Sequence, residues 1–534
     1  MKKTSESTNQ RSIIALKTGH DGAIAHILDG VLDFSYESEK DNNLRYSEID
    51  GETFLKAFGQ CKEVPNVFAL GGWSEGNDPQ GRKIEDGYCG LGRGSCSETV
   101  FAGRVLKRFS SSHERSHLLC AYGLSPFPQG TPCYALVWEG HIGAFYFINE
   151  RVEITKIKDV LSGPGIRYAF LYALGDPDFK MGRGAIRLGD AGKLMAISAF
   201  SKGKRLTKDG RLLIDRILSA SLGGKDLCKD DFRCSPYYNC GIDHPDFPDL
   251  VKYLSDQIYI KFEDAARDVV VDKHPLLISG GCGLNCEWNS RWISSQIFSD
   301  VFIPPCSNDS GSAIGTAIDA MMEFTGLAKV NWNIYSGDNP VEDINELPGF
   351  KEYPYDPAHV AELLNSGLVI GWMWGRYEIG PRSLGARSIL ASPVSVDMLK
   401  RLNFIKKREH FRPIAPVCLE EDMGDYFYPD NPSPYMLEFR RVISDSIPAV
   451  THVDGSARPQ SISREQNPVL YALIKKFKEI SGISVLCNTS LNFNGRGFLN
   501  RLSDLLEFSL KHKLDGFVFQ NKLFIGHNDS RDLS

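Results

Sequence analysis

A short stretch of serine and histidine residues is the first set of side chains that could do chemistry. Three serines precede His113 and His117, whose spacing of four residues puts both imidazoles on one face of a helix that the serines would cap. The pair could bind a metal ion or could make ordinary hydrogen bonds. If a metal binds, Glu139 and Asp309 are the best-placed carboxylates, and such a mixed ligand set suits Fe²⁺, Mn²⁺ or Zn²⁺.

The same stretch also has the His-Glu-x-x-His pattern of a zinc protease, in which Glu114 would be the general base. That motif normally lies in an apolar helix, whereas Arg115 and Ser116 occupy its middle here. A protease would be inhibited by chelators and would be indifferent to ATP. This function stays an alternative, and it is less consistent with the composition of the segment.

The segment from Arg376 to Arg412 is basic, although the chain as a whole is acidic. It has nine basic and three acidic residues. A solvated face would explain such a run, but these residues alternate with glycine and proline turns, which favours a pocket for polyphosphate. The basic residues are Arg376, Arg382, Arg387, Lys400, Arg401, Lys406, Lys407, Arg408 and Arg412.

Two other patterns are weaker. Gly192-Lys193 resembles part of a phosphate loop, but Arg187 and Leu194 stand where a Walker motif needs glycine and Ser or Thr. The 13 cysteines include no C-x-x-C pair, which indicates reduced thiols rather than a disulfide framework or zinc ribbon. Cys228, Cys234 and Cys240 could bind a metal, but a loop with incidental thiols is the simpler interpretation.

The elements that must position these residues show an internal repeat. Short apolar runs broken by glycine turns predict consecutive β-strands. The order of strand, acidic residue plus glycine, and strand occurs a second time later in the chain. We therefore expect a duplicated α/β fold whose two lobes face a cleft. The predicted strands are Ile13–Leu16, Gly22–Leu28, Val31–Tyr36, Tyr134–Trp138 and Ile142–Ile148.

Later elements complete the predicted layout. Pro275–Ser279 reads as a buried strand that ends in a glycine turn, and Ser307–Met322 as a helix. A segment rich in Asn, Asp, Pro and Gly then places a domain boundary near residue 350. A second α/β unit follows, with a helix at Pro357–Asn365 and a strand at Leu368–Trp374.

Composition excludes several classes of protein. The chain has 534 residues, enough for about two to four domains, and 61 basic against 67 acidic residues give a net charge of −6. Extensive disorder and a general nucleic-acid-binding surface are therefore not expected. The polar start Met1–Gln10 and the short first apolar run offer no signal peptide or membrane span, so we expect a cytoplasmic protein with no membrane partner.

Taken in order, these motifs resemble the ATP-dependent O-carbamoyltransferases of the nodulation protein U, tobramycin and hydroxymethylcephem type. The resemblance covers nearly the whole chain. In the first part it rests on Gly19-His20-Asp21-Gly22, Ser112-His113-(x3)-His117, Gly192-Lys193-(x)-Met195, Gly280-Gly281-(x2)-Leu284-Asn285 and Asp309-(x)-Gly311. The second part is more specific, with Gly375-Arg376 through Leu390, Lys406-(x)-Arg408-Glu409-(x)-Phe411-Arg412-Pro413, His452 through Arg458, and Cys487-Asn488-Thr489-Ser490-Leu491-Asn492.

This resemblance implies an actin-like, duplicated domain over residues 1–350 and a YrdC-like α/β domain over residues 351–534. The second domain would make carbamoyl-adenylate from ATP and carbamoyl phosphate. The first would transfer the carbamoyl group to a hydroxyl of a small-molecule acceptor, and AMP would leave. A divalent metal, most simply Fe²⁺, and Mg²⁺ would be cofactors, and a homodimer is one possible assembly.

The resemblance also assigns residues. Phosphate and carbamoyl phosphate contacts fall to five basic side chains and two neutral donors, because fixed cations offset the repulsion between two phosphorylated substrates. These residues are Arg382, Arg387, Lys406, Arg412 and Arg458, with Ser490 and Asn492 as the donors, and Arg458 is also a catalytic candidate. Gly280, Gly281 and Asn285 would line the adenosine.

In the first domain the resemblance assigns His113, His117, Glu139 and Asp309 to the metal. His20 or Asp21 would orient or deprotonate the acceptor hydroxyl, although a purely structural role for His20 is equally open.

Two departures from the family pattern limit these assignments. The metal carboxylate is commonly Asp rather than Glu, which puts Glu139 in doubt. Gly495-Arg496-Gly497 replaces the usual Gly-Glu-Pro and is closer to the hydroxymethylcephem type, which suggests an antibiotic-like acceptor. Two further alternatives are a maturation factor that carbamoylates a protein thiol and a non-catalytic nucleotide-binding regulator.

Overall fold

The computed structural model describes residues 12–73, 75–77, 83–180, 186–221 and 227–527. Within these ranges the chain forms three large β-sheets with helices packed on them. The mixed α/β class predicted from the sequence is therefore confirmed. No helix in these ranges is long and apolar enough to cross a membrane. The segment Met1–Gln10, on which the expected absence of a signal peptide depends, lies outside the described residues.

The first large sheet and its helices come from the N-terminal part of the chain. Its elements are β1 (Ser12–Lys17), β2 (Ala23–Leu28), β3 (Val31–Glu37), α1 (Ser38–Asn42), α2 (Gly51–Gln60), β4 (Val67–Gly71), β5 (Glu75–Asn77), β6 (Lys83–Asp86), β7 (Ser95–Phe101), β8 (Arg104–Ser111) and α3 (His113–Leu124). The sheet order is β3-β2-β1-β4-β8-β7, and β5 pairs only with β6. All six residues of β1 are buried, which explains the continuous apolar run Ile13–Leu16 within it.

A second sheet repeats this topology. It uses β9 (Cys133–Trp138), β10 (Gly143–Ile148), β11 (Ile154–Asp159), β12 (Leu276–Ser279) and β13 (Val301–Phe302). The order is β11-β10-β9-β12-β13, with two antiparallel pairs followed by two parallel pairs. The strands β3-β2-β1-β4-β8 have the same order and directions. The internal duplication predicted from the sequence is therefore present in the topology.

Helices connect and cover the second sheet. They are α4 (Pro164–Gly175), α5 (Asp190–Ser198), α6 (Lys208–Ser219), α7 (Phe247–Val269), α8 (Cys286–Ser294) and α9 (Ser312–Thr325). Helix α9 packs on β1, β2, β4 and β8, while α3 packs on β9 and β12. The two helices also pack on each other, so that they lie between the two sheets.

Glycine at position 315 allows the close contact between α3 and α9. A Cβ atom there would lie 1.8 Å from the backbone oxygen of Ser116. No side chain fits that distance, so the two helices can meet only at a glycine. The contact holds the N-terminal turns of α3 beside the segment that precedes α9.

The start of α9 differs from the prediction. The helix was predicted to begin at Ser307, but it begins at Ser312, after a 3₁₀ turn at Asp309–Gly311. Gly311 passes so close to Cys306 that a Cβ atom would lie 2.0 Å from its carbonyl oxygen. The tight turn directs Asp309 into the protein interior, where it is buried.

The third large sheet belongs to the C-terminal part of the chain. Its order is β14-β24-β23-β15-β16-β22-β17-β21, and a small sheet has the order β18-β19-β20. The elements are β14 (Phe350–Pro354), α10 (Pro357–Asn365), β15 (Ile370–Met373), β16 (Arg387–Ala391), α11 (Val396–Ile405), β17 (Ala415–Leu419), α12 (Met423–Tyr426), β18 (Phe427–Tyr428), β19 (Arg440–Val442), β20 (Ser456–Ala457), β21 (Gln460–Ile462), α13 (Pro468–Ser481), β22 (Val485–Ser490), α14 (Leu502–His512), β23 (Gly516–Phe519) and β24 (Lys522–Gly526).

This sheet has a separate apolar core on each face. Ile370 and Trp372 pack in one core with residues of α10 and α13, whereas Met373 and Ile389 pack in the other with residues of α11 and α14. The alternation along β15 places its side chains on both faces, as in a sheet that helices cover on both sides. All 13 cysteines are free thiols, as the sequence predicts.

Candidate active site

Four polar residues from both repeats converge where α3 and α9 meet. His113 and His117 lie on the first two turns of α3, whose N-cap Ser112 accepts a hydrogen bond from the backbone N–H of Arg115 at 3.1 Å. Glu139 follows β9, and Asp309 lies in the turn before α9. The predicted capped helix is therefore confirmed, and it faces the two carboxylates that the sequence proposed. We call these four residues the histidine–carboxylate cluster.

The geometry of the histidine–carboxylate cluster is compact. The Nε2 atoms of His113 and His117 are 3.1 Å apart. Oε2 of Glu139 lies 3.4 Å and 3.6 Å from these two nitrogens, and Oδ1 of Asp309 lies 3.4 Å from Nε2 of His117. One ligand atom from each of the four residues lies within 4.8 Å of all the others.

The residues present fit a divalent cation. All four side chains are buried, and Oδ2 of Asp309 has no hydrogen-bond partner among the described residues. Although burial opposes ionisation, His113, His117 and Lys17 hold the pKa of Asp309 well below its ordinary value. Burial likewise opposes ionisation of Glu139, but the two histidines lower its pKa. Two ionised carboxylates beside two imidazoles form a ligand set for Fe²⁺, Mn²⁺ or Zn²⁺.

Two neighbours of the histidine–carboxylate cluster escaped the sequence analysis. Lys17 ends β1, is fully buried, and places Nζ 3.4 Å from Oδ2 of Asp309 and 4.0 Å from the ring centre of Trp73. The Tyr88 hydroxyl donates to Oε1 of Glu139 at 2.6 Å, and its ring stacks on His113. Lys17 could have been found from the sequence, because a lysine at the end of an apolar strand is unusual. No sequence pattern points to Tyr88.

His20 and Asp21 lie beside the histidine–carboxylate cluster, on the turn between β1 and β2. Nδ1 of His20 is 2.9 Å from Oδ2 of Asp21, and its Nε2 is 3.6 Å from Oδ2 of Asp309. The His20 side chain is 41% exposed. Although burial opposes protonation, the hydrogen bond with Asp21 and the charge of Asp309 raise the pKa of His20. The imidazole therefore lies between solvent and the buried carboxylates, where an acceptor hydroxyl could reach it.

Glu114 is held away from the role that a zinc protease would give it. One of its oxygens accepts from Tyr146 at 2.5 Å and lies 2.8 Å from Nζ of Lys156, and the other accepts from the Gly90 backbone at 2.8 Å. Both carboxylate oxygens are thus engaged by protein groups. This arrangement does not support Glu114 as a general base.

The predicted adenosine residues surround the glycine turn after β12. Gly280 has φ +96°, and a Cβ atom there would lie 2.5 Å from the Trp138 backbone oxygen, so glycine is required. A Cβ atom on Gly281 would meet nothing within 4 Å. Asn285 caps α8 through Oδ1, while its buried Nδ2 has no hydrogen-bond partner among the described residues. The turn thus offers open space and a free donor.

A second group of residues brings positive charge together in the C-terminal part of the chain. We call it the cation cluster, and it contains Arg382, Lys406, Arg408, Arg412 and Arg458. Burial, and then repulsion from Arg458, lower the pKa of Arg382 to about 9. Burial, and then Arg412 and Arg458, lower the pKa of Arg408 to about 9. Mutual repulsion of this kind indicates a site that an anion would complete.

Two guanidinium groups of the cation cluster have donors to spare. The Nε atoms of Arg382 and Arg458 are buried and have no hydrogen-bond partner among the described residues. The structure therefore brings together three of the predicted phosphate-binding arginines, Arg382, Arg412 and Arg458. Arg408 lies in the same group. The sequence analysis counted it in the basic run but assigned it no phosphate contact.

Lys406, Ser490 and Asn492 also lie together, at the end of β22. The Lys406 ammonium donates to the backbone oxygens of Ser490 and Asn492 at 2.6 and 2.7 Å and to Oδ1 of Asn492 at 2.6 Å. The Ser490 hydroxyl donates to the same Oδ1 at 2.6 Å. Burial, and then Arg408 and Arg412, hold the pKa of Lys406 well below its ordinary value.

Arg387 has different surroundings. It is fully buried, and burial lowers its pKa to about 10. The charged neighbours that oppose this effect are Glu378, Tyr377 and Asp338, and none of the other cations contributes. All three of its guanidinium nitrogens donate to protein oxygens, namely those of Trp374, Gly375, Ala386, Asp338 and Asn500. The phosphate contact predicted for Arg387 stays a prediction that this geometry does not favour.

The glycine turn lies between the two clusters. Arg382 donates to the backbone oxygen of Leu284 at 2.9 Å, and on the other side Sγ of Cys282 lies 3.8 Å from the backbone oxygen of Glu139. The turn therefore adjoins one residue of each cluster. The three cysteines Cys228, Cys234 and Cys240 form no such ligand group among the described residues.

Comparisons with known proteins identify the family. The Carbamoyltransferase C-terminus model matches residues 361–525, and the Carbamoyltransferase N-terminus model matches residues 227–318. The chain is 46% identical over 496 residues to a 3'-hydroxymethylcephem-O-carbamoyltransferase from Amycolatopsis lactamdurans, which covers 92% of this chain and 95% of the relative. It is 33% identical over 533 residues to nodulation protein U from Sinorhizobium fredii, which covers 91% and 94% respectively.

Solved structures give weaker similarity. Full-length HypF in its phosphate- and nucleotide-bound form aligns with a TM-score of 0.33 at 11% identity, over 60% of this chain and 47% of HypF. Glucokinase from Balamuthia mandrillaris aligns with a TM-score of 0.26 at 9% identity, over 59% and 95%. These scores are too low to support an argument, whereas the relatives above match at high identity along almost their whole length. The chain therefore belongs to the carbamoyltransferase family and is an enzyme of the transferase class.

Proposed function

We propose that this carbamoyltransferase forms carbamoyl-adenylate from ATP and carbamoyl phosphate, and then transfers the carbamoyl group to a hydroxyl of a small-molecule acceptor. The observation that carries the proposal is the cation cluster beside the glycine turn, in which the Nε atoms of Arg382 and Arg458 are buried and find no acceptor in the part of the chain that the structure describes. Five cations with one acidic neighbour, Glu409, leave an excess of positive charge, which phosphate groups would neutralise.

The first half-reaction suits the cation cluster. Water would first hydrolyse carbamoyl phosphate to carbamate and phosphate. A carbamate oxygen would then bond to the α-phosphorus of ATP while the bond to pyrophosphate breaks, so that one water molecule is consumed for each adenylate formed. Arg382, Arg412 and Arg458 would hold the phosphate groups, and Arg408 would add charge to the same site. Cations fixed before the substrates arrive need no rearrangement during the reaction.

The second half-reaction would take place at the histidine–carboxylate cluster. His113, His117, Glu139 and Asp309 would hold a divalent metal, which as a Lewis acid would stabilise negative charge on the adenylate. His20, oriented by Asp21, would receive the proton of the acceptor hydroxyl, whose oxygen would bond to the carbamoyl carbon while the bond from that carbon to AMP breaks. Gly280, Gly281 and Asn285 would hold the adenosine between the two sites, as their place on the glycine turn suggests.

The domain organisation follows the same division. We propose that residues 1–350 form an actin-like transfer domain, which is consistent with the duplicated strand order of the first two sheets. Residues 351–534 would form the YrdC-like domain that makes the adenylate. The third sheet is built from strands between Phe350 and Gly526, which is consistent with a boundary near residue 350.

The acceptor is proposed to be an antibiotic-like alcohol. Identity to the relative named for 3'-hydroxymethylcephem is 46%, compared with 33% for nodulation protein U, over similar shares of the chain. A hydroxymethyl-bearing cephem is therefore the first acceptor to test. In the expected product a carbamoyl group replaces the hydroxyl hydrogen, and mass spectrometry detects the corresponding gain of CHNO.

The decisive experiment measures pyrophosphate release from ATP by the purified protein, with Mg²⁺ and Fe²⁺ present and no acceptor added. Release that requires carbamoyl phosphate is the expected result. Pyrophosphate release at the same rate with and without carbamoyl phosphate would contradict the formation of carbamoyl-adenylate. No release with or without a hydroxymethylcephem acceptor would favour a non-catalytic regulator instead.

A further inference from the structure

The Gly192-Lys193 motif is not a Walker motif, and the proposed reaction gives it no role. Lys193 lies on α5, in the part of the chain that belongs to the second sheet. Its Nζ atom is 3.2 Å from Oδ1 of Asp190 and 3.1 Å from Oε1 of Glu409. Glu409 lies in the C-terminal part of the chain, so this ion pair joins the two halves of the molecule.

Glu409 is an acidic residue at the edge of the cation cluster. Its Oε2 lies 3.9 Å from Nη1 of Arg412, while its other oxygen faces Lys193. Burial lowers the pKa of Arg412, and the charge of Glu409 acts in the opposite direction. A carboxylate at this place competes with phosphate for Arg412, unless another cation holds and neutralises it.

We propose that Lys193 is a positioning residue for the phosphate site of the other half of the chain: it holds Glu409 and neutralises it, so that Arg412 stays available to a phosphate ligand. This inference rests on the proposed function, since it assumes that the cation cluster binds phosphate. Lys193 itself is not assigned a contact with the substrate. Its side chain is 24% exposed, similar to the 27% of Glu409.

A simple structural tie between the two halves would behave differently from this electrostatic role. If the ion pair only held α5 against the C-terminal part, removing either partner would weaken ligand binding by the same factor. Removing both partners would weaken it at least as much. If Lys193 acts by restraining Glu409, removing the carboxylate makes the lysine dispensable. The two roles therefore predict opposite results for the double variant.

The test compares four proteins: the wild type, Lys193→Met, Glu409→Gln and the double variant. Dissociation constants for Mg·ATP and for inorganic pyrophosphate are measured by calorimetry on the full chain. We expect Lys193→Met to weaken binding of both about tenfold, and Glu409→Gln to bind as the wild type does or more tightly. The double variant should return to within about threefold of Glu409→Gln. Lys204→Met, which removes an exposed lysine, controls for the loss of one positive charge.

A double variant as weak as Lys193→Met, or a Glu409→Gln protein as weak as Lys193→Met, would overturn the proposal. Thermal unfolding of each protein shows that the comparison is made on folded enzyme, and Lys193→Gln replaces Lys193→Met should the latter fail to fold. A wild type that binds both ligands and releases no pyrophosphate would contradict the proposed function alone, because the four affinities still decide the role of Lys193. A wild type that binds neither ligand would overturn both.

Discussion

The Nζ atom of Lys17 lies 3.4 Å from Oδ2 of Asp309, and the lysine side chain is fully buried. This pair joins the end of β1 to the turn before α9. Lys17 in the first repeat thus supplies a counter-charge for Asp309, which follows the last strand of the second repeat. Burial lowers the pKa of Lys17, but Asp309, Asp21 and Glu139 oppose that effect. The contact thus balances part of the negative charge of the histidine–carboxylate cluster.

Lys17→Met should destabilise the metal-free protein, since it leaves two buried carboxylates with one fewer counter-charge. We expect the free energy of unfolding to fall by about 3 kcal/mol. Mn²⁺ or Fe²⁺ should then stabilise the variant more than the wild type, because the ion replaces the missing charge. Urea unfolding with chelator and with added metal measures both effects. Lys158→Met, which breaks an exposed pair with Asp268, should change stability by less than about 0.5 kcal/mol. Equal stabilisation by metal in the Lys17 variant and the wild type would contradict this account.

Arg458→Ala and His117→Ala should separate the two half-reactions. Arg458 belongs to the cation cluster, so its loss should reduce carbamoyl phosphate-dependent pyrophosphate release by at least about 100-fold. His117 lies in the histidine–carboxylate cluster, so its loss should leave pyrophosphate release within a few-fold of wild type and stop carbamoyl transfer. The two activities are measured as pyrophosphate release and as carbamoylated acceptor. Arg401→Ala, at an arginine paired with Asp515, is the charge control. Parallel loss of both activities in both variants would rule out the division of labour.

Gly315→Ala should separate α3 from α9. Its Cβ atom would lie 1.8 Å from a backbone oxygen that cannot move without its helix. We expect a loss of at least about 2 kcal/mol in stability. Metal affinity, measured by calorimetry, should also fall, because His113, His117 and Asp309 lie beside this contact. Gly59→Ala, in α2 with nothing within 4 Å of the added carbon, should be neutral or stabilising by up to about 1 kcal/mol. Unchanged metal affinity in Gly315→Ala would argue against this role of the helix contact.

Arg387→Met and Arg408→Met should affect different properties. Arg387 is fully buried and its nitrogens donate to several protein oxygens, so its loss should cost at least about 3 kcal/mol of stability. Arg408 belongs to the cation cluster, so its loss should weaken ATP binding about tenfold and change stability by about 1 kcal/mol or less. Urea unfolding and calorimetric ATP binding provide the two measurements. If Arg387→Met keeps wild-type stability and loses ATP affinity, Arg387 contacts phosphate after all.

The local patterns of the sequence predicted a large part of this fold. β1, β2, β3, β9 and β10 form within one or two residues of the predicted strands, because alternating apolar runs and glycine turns specify hairpins through short-range contacts. α10 covers the predicted range Pro357–Asn365. The exception is the start of α9, where close packing against Cys306 converts the first predicted turn into a 3₁₀ turn. Tertiary contact there overrides the local helical preference.

The sequence by itself determined which side chains are candidates for ligand binding: two histidines on one capped helix, two carboxylates at the ends of predicted elements, and a basic run with turns. It did not determine which cations stay free. Arg387 and Arg382 stand five residues apart in one motif, yet the first is satisfied by protein oxygens and the second keeps a buried donor unpaired. Only the tertiary structure decides this, because burial and hydrogen-bond partners come from segments that are distant in the chain. The same holds for Lys17 and Tyr88, whose partners Asp309 and Glu139 lie far from them in the sequence.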